Sequence, residues 1–223
     1  MRPLRIGPAI KIGHRGAAGH APENTLLSIE TALSLGVDAV EIDVHRSRDG
    51  HLIVMHDERV DRTTDGSGYI RDLTLPQLSA LRVPTLSEVI AAIHGRAALM
   101  IELKVRDIVP DVVAQAGGIP VYYASFLHSE LLRVRDLDST AQTVALIDAS
   151  PVSATAFALE AGATHAGIAF TSLERQSVRA LKNAGIGVFT WTVDDPRDIA
   201  HARSLEVDGL ISNYPDRLNG LGE

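Results

Sequence analysis

The chain has 223 residues, 45% hydrophobic and 22% charged, proportions of a folded protein with a sizeable core and not of a disordered one. Its net charge of -7, with no run of Lys and Arg, excludes a surface that tracks a nucleic-acid backbone or an anionic membrane. The absence of cysteine excludes disulfides and thiolate metal ligands, and no run of about 18 apolar residues is available to span a membrane.

The N-terminal MRPLRIGPAIKIGHRG is broken by Pro3, Gly7, Pro8 and Lys11, which leaves no apolar stretch for a signal peptide, and a cytoplasmic protein is expected. Along the chain, β-rich runs alternate with helical segments: AIKIG (9–13), DAVEIDV (38–44), ALMIEL (98–103), VYYASF (121–126), TVALI (143–147), AGIAF (166–170), GVFTWTV (187–193) and DGLIS (208–212). Between them apolar residues recur three or four apart, as at Leu26, Ile29 and Leu33 or Val178 and Leu181, which predicts amphipathic helices. Asn24 stands as the start of the first helix, and Asp195 precedes Pro196 at the first turn of the last. Eight βα units in one uninterrupted chain predict a (β/α)8 TIM barrel forming a single domain over residues 1–223, with an open doubly wound sheet as the alternative.

One run is left over. HLIVMH (51–56) follows DAVEIDV after RSRDG, a link too short for a parallel crossover, so it is expected to return as an extra β-hairpin arm after the second strand. With Asp49 and Gly50 as the two residues of a type I′ turn, Arg48 faces His51 and Asp43 faces His56. Glu41, two residues before Asp43, shares that face, so three ionisable groups are expected to converge.

Glu41 and Asp43 lie in the otherwise apolar VEIDV and are expected to point into the barrel. Two carboxylates there repel each other and are costly to desolvate unless cations or protons compensate them. Either Arg and Lys neutralise the pair or a metal does. In MIELKV, Glu102 and Lys104 again share one strand face, adding a third carboxylate and an ammonium. Oxygen ligands without Cys suit a hard cation, Mg²⁺ or Ca²⁺, better than zinc. His14 and Arg15 follow a strand end directly, at the barrel edge that usually carries catalysis. Two histidines, three carboxylates, Arg15 and Lys104 together suit displacement at phosphorus, with one His as base, one as acid, and cations on the anionic oxygens.

HRG at 14–16, APENT at 21–25, EIDV at 41–44, HD at 56–57, RTTDGSG at 62–68, PTLSEV at 84–89, IELK at 101–104, FTWTV at 189–193 and ISNYPD at 211–216 occur in one order across nearly the whole chain. In that order and spacing the sequence resembles the glycerophosphodiester phosphodiesterases. The resemblance implies a (β/α)8 barrel in which His14 and His56 are the acid–base pair and Glu41, Asp43 and Glu102 hold the metal. It further implies that Arg15 and Lys104 bind phosphate and that Trp191 lines the substrate pocket. The implied substrate is a small glycerophosphodiester, cleaved to sn-glycerol 3-phosphate and an alcohol through a cyclic phosphate. A lysophospholipase D-like activity and a non-catalytic barrel that binds phosphate-containing ligands are the alternatives.

Two departures stand out. Only Arg82 and Val83 separate the LSAL helix from PTL, a shortened form of the family's capping segment, and Ser47 replaces a frequent Thr on what reads as an exposed turn. His20, His45 and His51 are expected to be solvated in loops or on the hairpin. His94, His128, His165 and His201 read as helical or near helix ends, and Glu23 and Asn24 as the start of the first helix, close enough to Arg15 to orient it.

Overall fold

In the computed structural model, residues 9–219 are described, so the N-terminal segment through Pro8 lies outside the described residues. The chain runs through β1 (Ile10–Gly13), α1 (Leu26–Ser34), β2 (Ala39–Arg46), β3 (Leu52–Val54), α2 (Leu75–Ala80), α3 (Leu86–Ile93) and β4 (Ala98–Leu103). It continues through α4 (Val109–Ala116), β5 (Val121–Ser125), α5 (His128–Leu137), β6 (Gln142–Ile147), α6 (Ala156–Glu160) and β7 (His165–Ala169). It ends with α7 (Arg175–Asn183), β8 (Gly187–Trp191), α8 (Pro196–Ser204) and β9 (Gly209–Ser212).

The strands from β4 to β9 pair in sequence order, β2 pairs with β4, and β1 pairs in parallel with both β9 and β2, so the sheet closes into the expected eight-stranded parallel barrel. Alternation along each strand then separates two cores. Ile12, Ala39, Met100, Ala124, Val144, Phe189 and Ile211 fill the barrel interior. Val40, Ile42, Leu99 and Ile101 face outward against Ile29, Val89, Ile93 and Val112 of the surrounding helices. Because Ala39 points in and Val40 out, Glu41 and Asp43 must point in, and both are buried. No helix among the described residues is long and apolar enough to cross a membrane.

β3 returns antiparallel on the second half of β2, as expected, but in a different register: Val44 pairs with Val54, His45 with Ile53 and Arg46 with Leu52. Asp43 therefore lies beside Met55, whose N–H donates to the Asp43 carbonyl at 3.0 Å, and not opposite His56. The two-residue turn is replaced by a three-residue loop, Arg48 to Gly50. The His51 N–H donates to Ser47 Oγ at 2.9 Å, and the Ser47 hydroxyl donates to Asp49 at 2.7 Å. The Asp49 carboxylate also accepts from the Leu75 N–H at the start of α2. With side chains holding the loop, only Gly50 (φ +88°) needs the left-handed conformation, where a type I′ turn would need two such residues. Ser47 is consequently buried, not exposed. From β3 onward, Ile53, Met55, Val60, Ile70, Leu78 and Val83 form a small separate core, and PTLSEV enters α3 through a Thr85–Glu88 capping box.

Candidate active site at the barrel mouth

The polar residues collect where the parallel strands end. Register pairs Asp43 with Glu102 on the adjoining strand, so parity alone turns their side chains to one interior face with Glu41. Oxygens of Glu41, Asp43 and Glu102 lie within 4.8 Å of one another. Lys104 Nζ is 2.8 Å from Glu102 and 3.4 Å from Asp43.

Arg15 follows β1 in a left-handed conformation (φ +50°), and Gly16 continues it (φ +87°). A Cβ at Gly16 would come 2.4 Å from Ser28 Oγ, so only glycine fits against α1. This double turn aims the Arg15 N–H at Glu41 Oε2, 2.8 Å away, and brings its Nε within 3.6 Å of Asp43. The Arg15 guanidinium also donates to Glu23 at 2.9 Å.

Burial raises Glu41 well above the usual carboxylate range, and the neighbouring Asp43 and Glu102 raise it further. Burial and Asp43 likewise raise Glu102, to about 7, against the opposing pull of Lys104. Burial alone would raise Asp43 too, but Lys104 and Arg15 hold it below its ordinary value. The donor set fits a hard divalent cation. Three carboxylates crowd one pocket, and among the described residues Glu41 makes no ion pair at 4 Å or less and the buried Asp43 Oδ1 accepts no hydrogen bond.

His14 and His56 reach the same mouth by different routes. The Gly13–Ser212 pairing of β1 with β9 places His14 beside Asn213. Asp194 fixes that amide: the Asn213 N–H and Nδ2 donate to its two oxygens at 2.8 and 2.7 Å. Asn213 Oδ1 is thus left to accept from His14 Nδ1–H at 2.7 Å, which makes Nε2 the unprotonated nitrogen. Burial, then Arg15, lowers the His14 pKa and favours the neutral ring. His56 Nδ1 instead meets a carboxylate, Asp57 Oδ1 at 2.7 Å, an acceptor only, so the ring donates from Nδ1. His56 is among the charges that lower Asp43, but strand pairing does not set the two side chains opposite each other.

Trp191 ends β8 at the inner rim, donates to the Gly167 carbonyl at 3.3 Å, and meets Phe126 edge-on at 5.6 Å.

Several expectations change. Asn24 does not start α1; Thr25 caps it, accepting from the Ser28 N–H. Asn24 is buried at φ +56°, donates to Asp43 Oδ2 at 2.8 Å, and accepts from the Asp43 N–H at 3.3 Å. It therefore supports the carboxylate cluster. His45 is buried against the His56 carbonyl, not solvated, because the inner half of the hairpin is covered. His165 is the first residue of β7, not part of a helix or its end, and stacks on Phe189 inside the barrel, where burial lowers its pKa to about 4. His20 is exposed, as expected, and pairs with Asp216 and packs on Tyr214. His128 contacts the Leu146 carbonyl. Asn213 and Asp194 were not singled out in the sequence. The available signal was barrel closure, which sets the residue after the last strand beside the residue after the first.

With this geometry established, similarity to known proteins is informative. Residues 14–217 match the model of the Glycerophosphoryl diester phosphodiesterase family. A glycerophosphodiester phosphodiesterase of Bacillus subtilis (strain 168) is 32% identical over 97% of this chain and 86% of its own length. Among solved structures, an Oleispira antarctica phosphodiesterase in complex with the product sn-glycerol-3-phosphate superposes with a TM-score of 0.86 at 28% identity, covering 95% of each chain. The Thermotoga maritima glycerophosphodiester phosphodiesterase gives a TM-score of 0.84 at 27% identity, covering 96% of this chain and 98% of that one.

Proposed function

The chain belongs to the glycerophosphodiester phosphodiesterase family, and on that premise we propose that its barrel mouth hydrolyses glycerophosphodiesters to sn-glycerol 3-phosphate and an alcohol, with His14 as base and His56 as acid. The observation that carries this reading is the contrast between the two histidines: one bonded to an amide and depleted of charge, the other bonded to a carboxylate, at one anion-handling mouth.

His14 Nε2 would take the proton of the glycerol hydroxyl as that oxygen attacks phosphorus, and His56 Nε2–H would pass its proton to the departing alcohol oxygen. Water would then open the resulting cyclic phosphate with the two roles reversed. Arg15 would hold the phosphoryl oxygens of the bound ester, Lys104 would stabilise the charge that builds on them, and the Trp191 ring would wall the glycerol side of the pocket. Glu41, Asp43 and Glu102 would hold one divalent cation, Mg²⁺ or Ca²⁺, which when bound polarises phosphoryl and hydroxyl oxygens. We assign these roles to a single domain over 1–223 and to a cytoplasmic enzyme acting on a small molecule, with no nucleic-acid partner.

The test is an assay of glycerol 3-phosphate release from glycerophosphocholine, glycerophosphoethanolamine and glycerophosphoglycerol. Turnover should disappear with EDTA and return with Mg²⁺ or Ca²⁺. Turnover that survives EDTA, or survives His14→Ala or His56→Ala, overturns the reading. Phe126, 45% exposed beside Trp191, favours a second one in which the mouth accepts an acyl chain, as in a lysophospholipase D. Faster cleavage of lysophosphatidylcholine than of glycerophosphocholine would select it.

A further inference from the structure

The segment after β3 carries an arginine for which the reaction above has no use. Arg62 Nε donates to Asp57 Oδ2 at 2.6 Å and Nη2 to Asp57 Oδ1 at 3.2 Å. The other side of the same guanidinium serves Glu23: Nη1 donates to Oε2 at 3.0 Å and Nη2 to Oε1 at 2.6 Å. Four of its five N–H donors are thus directed at two carboxylates. Each carboxylate has one further partner. Asp57 holds His56 Nδ1, and Glu23 holds Arg15. A continuous chain of bonds therefore runs His56–Asp57–Arg62–Glu23–Arg15, and it joins the loop after β1 to the loop after β3.

Resting on the acid and phosphate roles proposed above, we infer that Arg62 is a positioning residue, a two-headed clamp that fixes the distance between the proton donor His56 and the phosphate ligand Arg15. A planar fork that satisfies two carboxylates on two edges has one geometry, whereas a single ammonium cannot span both. The clamp holds its pairs in place of stabilising the fold: the Arg62 side chain is 48% exposed, and exposed ion pairs contribute little to stability. Asp57 and Glu23 both lie below the usual carboxylate range, with Arg62 hydrogen bonds and charge the main lowering cause and burial opposing it. Both therefore stay charged and available to the clamp.

The two arms make separable predictions. Single-turnover rates, with enzyme in excess and metal present, are compared for glycerophosphocholine and for a glycerophosphodiester whose leaving group is 4-nitrophenol. The choline alcohol needs a proton to depart, and nitrophenolate does not. Arg62→Met is expected to slow choline release by roughly 10- to 100-fold, a part of the 10²–10⁴-fold that acid catalysis supplies. Nitrophenolate release should fall less than about threefold on the same reasoning, while binding weakens for both esters through the Arg15 arm. Asp57→Asn should show only the leaving-group-dependent loss and Glu23→Gln only the weaker binding, so the clamp stays testable should Arg62→Met fold poorly. Arg62→Lys should restore at most one arm. Wild-type behaviour of Arg62→Met, or equal slowing of both esters, overturns the clamp while leaving the function intact. Equal slowing of both esters by His56→Ala instead overturns the acid assignment, and the His56 arm falls with it.

Discussion

Replacing Asn213 by Ala removes the group that sets the His14 tautomer without touching the imidazole. In the native arrangement His14 Nδ1–H donates over 2.7 Å to an amide oxygen that Asp194 has already oriented. Without it, a part-buried ring N–H is left unpaired, which costs about 1–3 kcal/mol, unless the ring flips or the other tautomer takes over. Either escape protonates or misdirects the nitrogen needed as base, so kcat should fall by roughly 5- to 150-fold at about 1.4 kcal/mol per tenfold. The pH profile adds a sign. Burial and Arg15 lower His14, and the Asn213 hydrogen bond opposes them. Removing that bond lowers the pKa further, so the acid limb of kcat/KM should move to lower pH even as the plateau drops. Initial rates of glycerol 3-phosphate release across the pH range measure both quantities. An unchanged plateau, or an acid limb displaced to higher pH, would refute the tautomer argument.

Three more outcomes are expected. Metal-free protein should lose stability as pH rises from 4.5 to about 7, because Glu102, and Glu41 with it, favours the protonated form in the fold; for Glu102 the linkage is about 3 kcal/mol. Melting curves should show Mg²⁺ or Ca²⁺ restoring this loss, with a larger increment near neutrality than in acid, and a pH-independent increment counts against a cation on these carboxylates. Asn24→Ala should destabilise by about 3 kcal/mol in chemical denaturation, from a lost bond to a charged carboxylate and a Cβ residue at φ +56°, with Asn24→Gly recovering only the backbone part. Lys104→Met should lower kcat roughly 10²–10³-fold in steady-state kinetics with little change in KM, the signature of charge stabilisation that matters most in the transition state.

Legible in the sequence is whatever depends on parity and short range. The spacing of Glu41 and Asp43, and of Glu102 and Lys104, puts each pair on one strand face however the barrel is assembled, so their convergence needed only the eight-strand count. The hairpin was also evident, but its register was not. The choice between two and three loop residues rests on Ser47 and Asp49 side chains and on a contact from Asp49 to α2, which is 26 residues away. Asn24 and Thr25 are adjacent polar residues, either of which can cap a helix. Only the depth of Asp43 beneath the loop shows that one caps while the other turns inward. His165 reads as near a helix end because the strand reads from Ala166, one residue after β7 begins.

The sequence by itself determined the barrel and the inward facing of Glu41, Asp43 and Glu102, because strand alternation is a local property that survives any packing of the helices outside. The tertiary structure decided how those groups are tuned. His14 depends on Asn213, 199 residues away, and Arg15 and His56 are tied through Glu23, Arg62 and Asp57 across two loops. Such partners meet only when closure brings β9 beside β1 and the segment after β3 folds back over the mouth. Their effect on proton affinity arises from burial and from charges that no stretch of chain holds on its own.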